Sequence, residues 1–532
     1  MQQVRIVKDM EKSHNIIIDL LIALCSSLLL FLSFHPVDCG VLAWFALAPW
    51  LYIVQTNSPR RAAKISCITG LLFFFAGLWW LGIVSIVGLI ISCAILSAFT
   101  AIFGFMSASV ISKYRVSAVI VFPVFWVAVE YARSNLFVFS FPWLLLAHTQ
   151  HNYIKIIQIC DTVGVYGLSF LMVFFNAFLV ELILYIRSRA VTLKRIVIEG
   201  IAAVVLLLLT FIYGNHCVKS IELHEGPRIY CVQGNIPQDL KEESLRNIGK
   251  LAQKIIADHM ALTIPALYQN VDLIVWPETM YPSFLLLQGE DLLRFSQIAK
   301  ESKASVLVGS QHYEIENGKA KRYNSAIYIN PDGMVAGRYD KLFLVLVGEY
   351  IPFEKALPLL GYIISSFIPY ECESLSEGSK MKIFSLKDYS FACVICFELS
   401  LDWLVRKAAV AGADFIVNIS NDAWFEGSSE LDLARAHAAF RAVENRVSVV
   451  RVVNRGISCI ADPLGRIKDL EVKGKRKNVE GTFIINAMLS DSKSAYLSIG
   501  NLFGKIIFFC GAACVIFLIV THFRRRWQSP VT

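Results

Sequence analysis

The sequence predicts an α-helical membrane domain of about eight spans joined to an α/β domain that lies outside the cytoplasm. Three observations lead there. The 532 residues are 56% apolar and only 17% charged, against about 25% charged in an average soluble domain. The apolar excess is gathered into runs close to the ~20 residues needed to cross a hydrocarbon core. Before the last of these runs lies a long stretch of different texture, in which short β-rich segments alternate with amphipathic helical patterns, as in layered α/β folds.

Seven apolar runs fill the N-terminal part, at roughly 14–34, 39–56, 64–82, 84–112, 116–132, 164–187 and 195–214, and an eighth covers 503–521. The expected division is therefore a membrane domain over 1–214, an extracytoplasmic domain over 215–500, and a last span with a basic tail over 501–532. The first run lacks a small-residue cleavage site and is followed by further spans, so it reads as an anchor. Basic residues set the orientation. Arg5, Lys8 and Lys12 precede the first run; Arg60, Arg61 and Lys64 follow the second; Lys113 and Arg115 follow the fourth; Arg187, Arg189, Lys194 and Arg195 lie between the sixth and seventh; Arg524, Arg525 and Arg526 follow the eighth. All fall on one side if every run spans, and the positive-inside rule makes that side cytoplasmic. The loop 131–163 and the region 215–500 then face outside.

The net charge of +8 is accounted for by these clusters. No basic stripe interleaved with stacking aromatics is present, so nucleic acid is not an expected partner. Many of the thirteen cysteines lie inside apolar runs (Cys25, Cys67, Cys93, Cys510 and Cys514), where cysteine serves as a small apolar residue. Their spacing has no disulfide-framework pattern.

Within 215–500, strands are expected at Arg228–Val232, Leu273–Trp276, Ser305–Gly309, Ala326–Ile329, Phe391–Ile395 and Phe415–Ile419, with helices at 243–268, 290–303, 400–411 and 429–447. The very apolar segment 342–370 is interrupted by Pro352, Pro358 and Pro369, so it holds no unbroken span. It is either buried core or a loop that dips into the outer leaflet.

Three short stretches carry chemistry. Val275-Trp276-Pro277-Glu278-Thr279 delivers a carboxylate at the end of a strand, although a glutamate there is commonly a solvated cap. Arg338-Tyr339-Asp340-Lys341 is followed by Gly348-Glu349-Tyr350-Ile351-Pro352; a lysine opening an apolar segment commonly snorkels to water. Phe391-Ala392-Cys393-Val394-Ile395-Cys396-Phe397-Glu398 ends a buried-type strand in a cysteine. The Cys-x-x-Cys spacing invites a redox or zinc reading, but residues i and i+3 of a strand point to opposite faces. No second cysteine pair or spaced histidine pair lies nearby to complete a metal site. A cysteine nucleophile needs a base and a donor for the oxyanion. Glu278 can serve as the base and Lys341 as the cation.

The set Trp276-Pro277-Glu278-Thr279, Tyr339-Asp340-Lys341 with Gly348–Glu354, Cys396-Phe397-Glu398 and Asn418–Phe425 resembles the carbon–nitrogen hydrolase (nitrilase) superfamily with its Glu-Lys-Cys triad. With the apolar runs added, nearly the whole chain resembles the bacterial apolipoprotein N-acyltransferases. Phe34-His35-Pro36, Leu47-Ala48-Pro49, Phe141-Pro142-Trp143 and Gln233–Gln238 join the likeness. The resemblance implies an α-β-β-α sandwich on the membrane base. It implies Glu278 as general base, Lys341 as the oxyanion cation and Cys396 as nucleophile. Glu349 would be the second active-site glutamate, and Phe397, Glu398, Asn324 and Trp424 would support the site. It further implies ping-pong transfer of a fatty acyl chain from a phospholipid to the amine of a diacylated apolipoprotein, at the bacterial inner membrane with the catalytic domain in the periplasm. No metal or diffusible cofactor is expected. Three departures are visible: no histidine follows Lys341 in Leu342–Val347, Glu242 stands where a tryptophan is frequent, and Phe397 replaces a more usual tyrosine. The rival readings are a membrane-anchored amidase or nitrilase-type hydrolase that uses water, and a non-catalytic scaffold.

Overall fold

The computed structural model describes residues 15–136, 140–189, 191–246, 249–316, 318–346, 348–351 and 374–528. These form two compact units. One comprises the described residues within Met1–Gly82, Ile86–Cys217 and Ile499–Thr532; the other comprises Val218–Ser498 with Ile83–Ser85.

The first unit is helical. Its main helices are α1 (Ile16–Ser33), α2 (Ala48–Thr56), α3 (Pro59–Gly77), α4 (Ile86–Tyr114), α5 (Ala118–Ser134), α6 (Cys160–Ser188) and α7 (Leu193–Ser220), with a C-terminal helix at Leu502–Gln528. Each apolar run read from the sequence overlaps one or more helices. Five of these helices, α1, α4, α6, α7 and the C-terminal one, are long and apolar enough to cross a membrane. The run 39–56 is instead divided into Gly40–Leu42, Ala43–Ala46 and Ala48–Thr56. Backbone groups freed by such a break need partners in an apolar setting. Asn176 of α6 supplies them: its Oδ1 accepts the N–H groups of Leu47 and Ala48, each at 3.0 Å, and its Nδ2 donates to the carbonyl of Ala43 at 3.0 Å. Helix α5 has 17 residues, and α3 carries Arg60, Arg61 and Lys64 near its start. Close packing of α4 on α3 requires Gly104, where a Cβ would lie 2.1 Å from Ser66 Oγ.

The second unit is built from two sheets. Its strands are β1 (His224–Gln233), β2 (Leu273–Val275), β3 (Tyr281–Phe284), β4 (Ser305–Glu316), β5 (Lys319–Ile329), β6 (Val335–Asp340), β7 (Ile383–Leu386), β8 (Tyr389–Ile395), β9 (Phe415–Ser420), β10 (Ser448–Val453), β11 (Cys459–Ala461), β12 (Ile467–Asp469) and β13 (Gly481–Leu489). One sheet runs β13-β1-β2-β4-β5-β6 with β3 against β4, and the other runs β12-β11-β10-β9-β8-β7. The centre of each is parallel (β1-β2-β4 and β8-β9-β10) and the margins are antiparallel.

Strand alternation sorts the apolar residues into layers. Cys393 and Ile395 of β8, with Phe415, Val417 and Ile419 of β9, meet Ile229, Leu273, Val275 and Leu307 of the other sheet in a shared core. The opposite faces pack on helices. Ile274 and Val306 sit with Ile255, Ile256 and Phe295 of the helices Lys250–Thr263 and Gly289–Ser302. Ala392, Val394 and Ile416 sit with Val405, Ala408, Ala438 and Ala442 of the helices Asp402–Val410 and Glu430–Asn445. This is the expected α-β-β-α sandwich.

Several expectations change in detail. The helix read over 243–268 is two helices, Gln238–Arg246 and Lys250–Thr263, followed by a 3-10 turn at Ile264–Tyr268. Strands β4 and β5 extend into a polar hairpin, pairing as far as Glu316 with Lys319. Most of the apolar segment 342–370 lies outside the described residues, as does the basic cluster Arg5, Lys8 and Lys12.

Candidate active site

Each catalytic candidate sits at the end of a strand, where the backbone leaves the sheet and side chains converge. Trp276 continues β2 by donating its N–H to the carbonyl of Leu307 at 2.9 Å, and its indole Nε1 donates to Thr263 Oγ1 at 2.9 Å. Phe295 meets its ring edge-on, with centroids 4.8 Å apart. With Trp276 fixed, the chain turns sharply: Thr279 lies in the left-handed region at φ 50°. Gly309 of β4 permits the turn, since a Cβ there would lie 2.1 Å from the carbonyl oxygen of Pro277. Glu278 is carried inward and is 7% exposed. Its Oε1 accepts from Asn324 Nδ2 at 2.7 Å and its Oε2 from the N–H of Asn421 at 2.9 Å.

Lys341 follows β6 and is 1% exposed. Its backbone N–H donates to the carbonyl of Asn324 at 2.9 Å. Its ammonium meets both oxygens of Glu349, at 2.9 and 2.8 Å, and lies 3.7 Å from Glu278 Oε1. Burial opposes the charge, but the Glu349 and Glu278 carboxylates more than reverse this, so the lysine pKa lies above its ordinary value. Lys341 is a fixed cation and not a snorkelling side chain. Glu349 is itself held: its Oε1 accepts from Asn324 Nδ2 at 3.0 Å and its Oε2 from the N–H of Val345 at 2.8 Å. A single amide group thus bridges two carboxylates and fixes their spacing.

Cys396 directly follows β8 at φ 55°, a left-handed conformation unusual for a residue with a side chain. Strain of this kind persists where surrounding structure over-determines it. The turn is held by Glu398, which is fully buried. Unlike the buried Cys393, Cys396 is partly exposed. Cys393 points into the core between the sheets, so the two thiols do not form a paired site. Burial and the negative charge of Glu278 raise the Cys396 pKa, and Lys341 pulls against them. The first two effects favour the thiol over the thiolate.

The supporting residues divide. Asn324 stands between Glu278 and Glu349. Phe397 stacks on Phe343, with centroids 5.9 Å apart, and Phe343 meets Trp403 edge-on. Trp424 is half-buried in the 3-10 turn Asp422–Phe425, beside Asn421. That turn is anchored by the ion pair of Asp422 with Arg451 at 2.7 Å.

The carbon–nitrogen hydrolase family model matches residues 228–488, and the apolipoprotein N-acyltransferase N-terminal domain model matches residues 26–178. An apolipoprotein N-acyltransferase of Geobacter metallireducens is 33% identical over 530 residues, covering 96% of each chain. The chain belongs to the apolipoprotein N-acyltransferase family. Its relatives include the apolipoprotein N-acyltransferase of Haemophilus influenzae, 27% identical over 501 residues and 91% of each chain. Among solved structures, an amidase from Nesterenkonia sp. is 16% identical with a TM-score of 0.35, covering 52% of this chain and 95% of that one.

Against this family background, one buried charge was not anticipated from the sequence. Lys241, in the helix Gln238–Arg246, is 5% exposed. Among the described residues its ammonium has no hydrogen-bond or ion-pair partner. Burial lowers its pKa to about 8, although the Glu278 and Glu349 carboxylates favour its charge; the Lys341 cation works against it. The segment before it is pinned to the site. Asn454 accepts the N–H of Ile236 at 2.9 Å and donates to the carbonyl of Ile236 at 2.8 Å, and Asn421 Nδ2 donates to Gln238 Oε1 at 2.9 Å. In the sequence Asp239-Leu240-Lys241-Glu242-Glu243, the lysine reads as one member of a solvated charged face, and no pattern marks it for burial.

Proposed function

We propose that Cys396 carries a fatty acyl chain as a thioester between a phospholipid donor and the free amine of a diacylated apolipoprotein. The family makes this chain a multi-pass membrane acyltransferase that works on lipoproteins and lipid. The observation that supports the residue roles is the hydrogen-bonded unit Glu278–Asn324–Glu349–Lys341, whose Glu278 carboxylate and Lys341 ammonium both act electrostatically on a strained, partly exposed cysteine.

In the first half-reaction, Cys396 Sγ attacks the ester carbonyl carbon while Glu278 takes the thiol proton. The carbonyl oxygen becomes an oxyanion beside the Lys341 ammonium, where a preorganised charge is worth far more than in water. The ester C–O bond breaks, Glu278 returns the proton to the departing oxygen, and a lysophospholipid leaves. In the second, the α-amine of the acceptor attacks the thioester. The nitrogen loses its proton to Glu278, the C–S bond breaks, and the sulfur is reprotonated. Glu349 keeps Lys341 charged and in place throughout.

The hydrolase reading shares the residues but leaves the membrane unit unexplained, and the intact Glu-Lys-Cys set speaks against a scaffold. The basic clusters support an inner-membrane location with the catalytic unit on the periplasmic side. The experiment that tests the covalent step uses acyl-labelled phospholipid alone. It should label Cys396, release lysophospholipid, and leave a bond cleaved by neutral hydroxylamine. A diacylated lipopeptide with a free amine should discharge the label, and the same peptide with a blocked amine should not. Glu278→Gln should slow acylation by roughly 10²–10⁴-fold, the range typical for loss of a general base. Transfer that occurs only with both substrates bound, and never labels Cys396, would overturn the proposal.

A further inference from the structure

We propose that His35, Asp38 and His151 form a binding site for a divalent transition-metal cation of the zinc class, within the helical unit and apart from the acyl-transfer chemistry. His35 and Asp38 lie in the turn after α1, and His151 lies in the segment that leads into α6. One ligand atom from each lies within 4.8 Å of the other two. His35 Nε2 is 3.6 Å and His151 Nε2 is 3.5 Å from the same oxygen, Asp38 Oδ2. The rings lie side by side with centroids 5.2 Å apart. His35 is 8% exposed and His151 is 2% exposed.

The distances discriminate between readings. A charge-assisted hydrogen bond between an imidazolium and a carboxylate is short, about 2.7–2.9 Å. Both contacts here are longer by more than half an ångström. Metal–ligand bonds of about 2.0–2.2 Å at tetrahedral angles hold neighbouring ligand atoms roughly 3.4 Å apart. The observed separations match such ligand–ligand edges, with the carboxylate oxygen at a shared corner.

The surrounding groups orient the donors in the same sense. His151 Nδ1 lies 3.2 Å from the carbonyl oxygen of His148, which can only accept. That nitrogen therefore carries the proton, and in the neutral ring Nε2 presents its lone pair toward Asp38. A second partner of this kind is the usual device that fixes the tautomer of a metal-ligating histidine. Asn152 Nδ2 donates to Asp38 Oδ2 at 2.7 Å, which fixes the carboxylate. Two imidazole nitrogens and one carboxylate oxygen suit zinc and related divalent cations, with the fourth position left for water. The cation would clip the turn after α1 to the segment before α6. The same residues belong to stretches that the basic clusters place on the noncytoplasmic side.

The test uses the full chain, purified in detergent with an affinity tag free of histidine, stripped with a chelator, and titrated with Co²⁺ and then Zn²⁺. One equivalent of Co²⁺ should bind with the intense visible bands of a four-coordinate site, and Zn²⁺ should displace it. Asp38→Asn, which is isosteric, should weaken binding by at least about tenfold. His35→Ala with His151→Ala should abolish the bands, and Cys396→Ala should leave them unchanged. Zn²⁺ should raise the melting temperature of the wild type and of Cys396→Ala, but not of the double histidine variant. The proposal fails if active wild-type protein binds no Co²⁺, if a thiolate-to-cobalt band shows that a cysteine holds the ion, or if the double variant binds as tightly as the wild type.

Discussion

Glu398 accepts the backbone N–H of Ile395 at 2.7 Å, one residue before the proposed nucleophile Cys396. The same carboxylate accepts the N–H groups of Leu342 and Phe343 at 2.6 and 3.0 Å, immediately after Lys341, and the hydroxyl of Tyr339 at 2.9 and 3.0 Å. One buried side chain therefore ties the cysteine turn to the cation strand across the two sheets.

In its ionised form Glu398 is an all-acceptor group, and Glu398→Gln replaces it by an amide whose nitrogen must face one of these donors. Each unsatisfied buried donor costs about 1–3 kcal/mol, so the variant should lose roughly that much stability and more than one decade of acylation rate. Because Glu398 acts through backbone positions, donor KM should change less than kcat. An acylation rate equal to wild type in the folded variant would show that the tie does not position the site. Burial raises the Glu398 pKa to about 7. A raised acid pKa gives a stability contribution that is present below the unfolded value and is lost as pH rises through about 7. Chemical denaturation between pH 5 and 8 should show this slope in the wild type and lose it in Glu398→Gln.

Cys393 and Cys396 separate the packing role from the chemical one. Cys396→Ala should abolish hydroxylamine-sensitive acylation and leave the fold intact. Cys393 is fully buried in the core between the sheets, so Cys393→Ala should keep the label and cost about 1 kcal/mol, near the centre of the range for single substitutions. Equal loss of labelling in two folded variants would restore a paired-cysteine mechanism.

Much of this arrangement was legible in the sequence because it is carried by patterns of short range. The apolar runs overlapped helices, and the six β-rich segments fell on β1, β2, β4, β5, β8 and β9. What escaped depends on contacts distant in sequence. Ser448-Val449-Val450-Arg451-Val452-Val453 is β-rich, yet its place at the sheet centre comes from pairing with β9. The outer half of the β4–β5 hairpin is polar and is strand only because its backbones pair. Glu398 was recognised by its position after the cysteine, but its role as a tie depends on Leu342 and Tyr339, more than fifty residues away. Lys241 was missed because burial of a lone lysine leaves no periodic trace.

Topology can be read with a reporter active only outside the cytoplasm. Fusion after Gly318, in the turn between β4 and β5, should give signal, and fusion after Arg526 should give none. The reverse pattern would invert the orientation inferred from the basic clusters.

Lys241 supplies the last prediction. Its pKa of about 8 lies below the ordinary lysine value because burial disfavours the cation, and the Glu278 and Glu349 carboxylates only partly compensate. Below pH 8 the group is an ammonium beside the site; as pH rises through 8 it becomes neutral. An ammonium there would add to the positive field at the proposed oxyanion, so acylation should slow as pH rises through about 8. The measurement must use the first half-reaction with phospholipid alone, because an acceptor α-amine titrates in the same range. Lys241→Met should lower acylation at pH 7 and lose the alkaline decline. Lys241→Arg should retain activity at alkaline pH, since arginine stays charged. Stability gives an independent sign. A base whose folded pKa is depressed destabilises the folded state where it is charged, so the wild type should gain stability as pH rises from about 8 toward the ordinary lysine value, and Lys241→Met should lack this gain. If the methionine variant keeps both the wild-type rate at pH 7 and the wild-type alkaline decline, the lysine fills space beside the site and takes no part in holding charge.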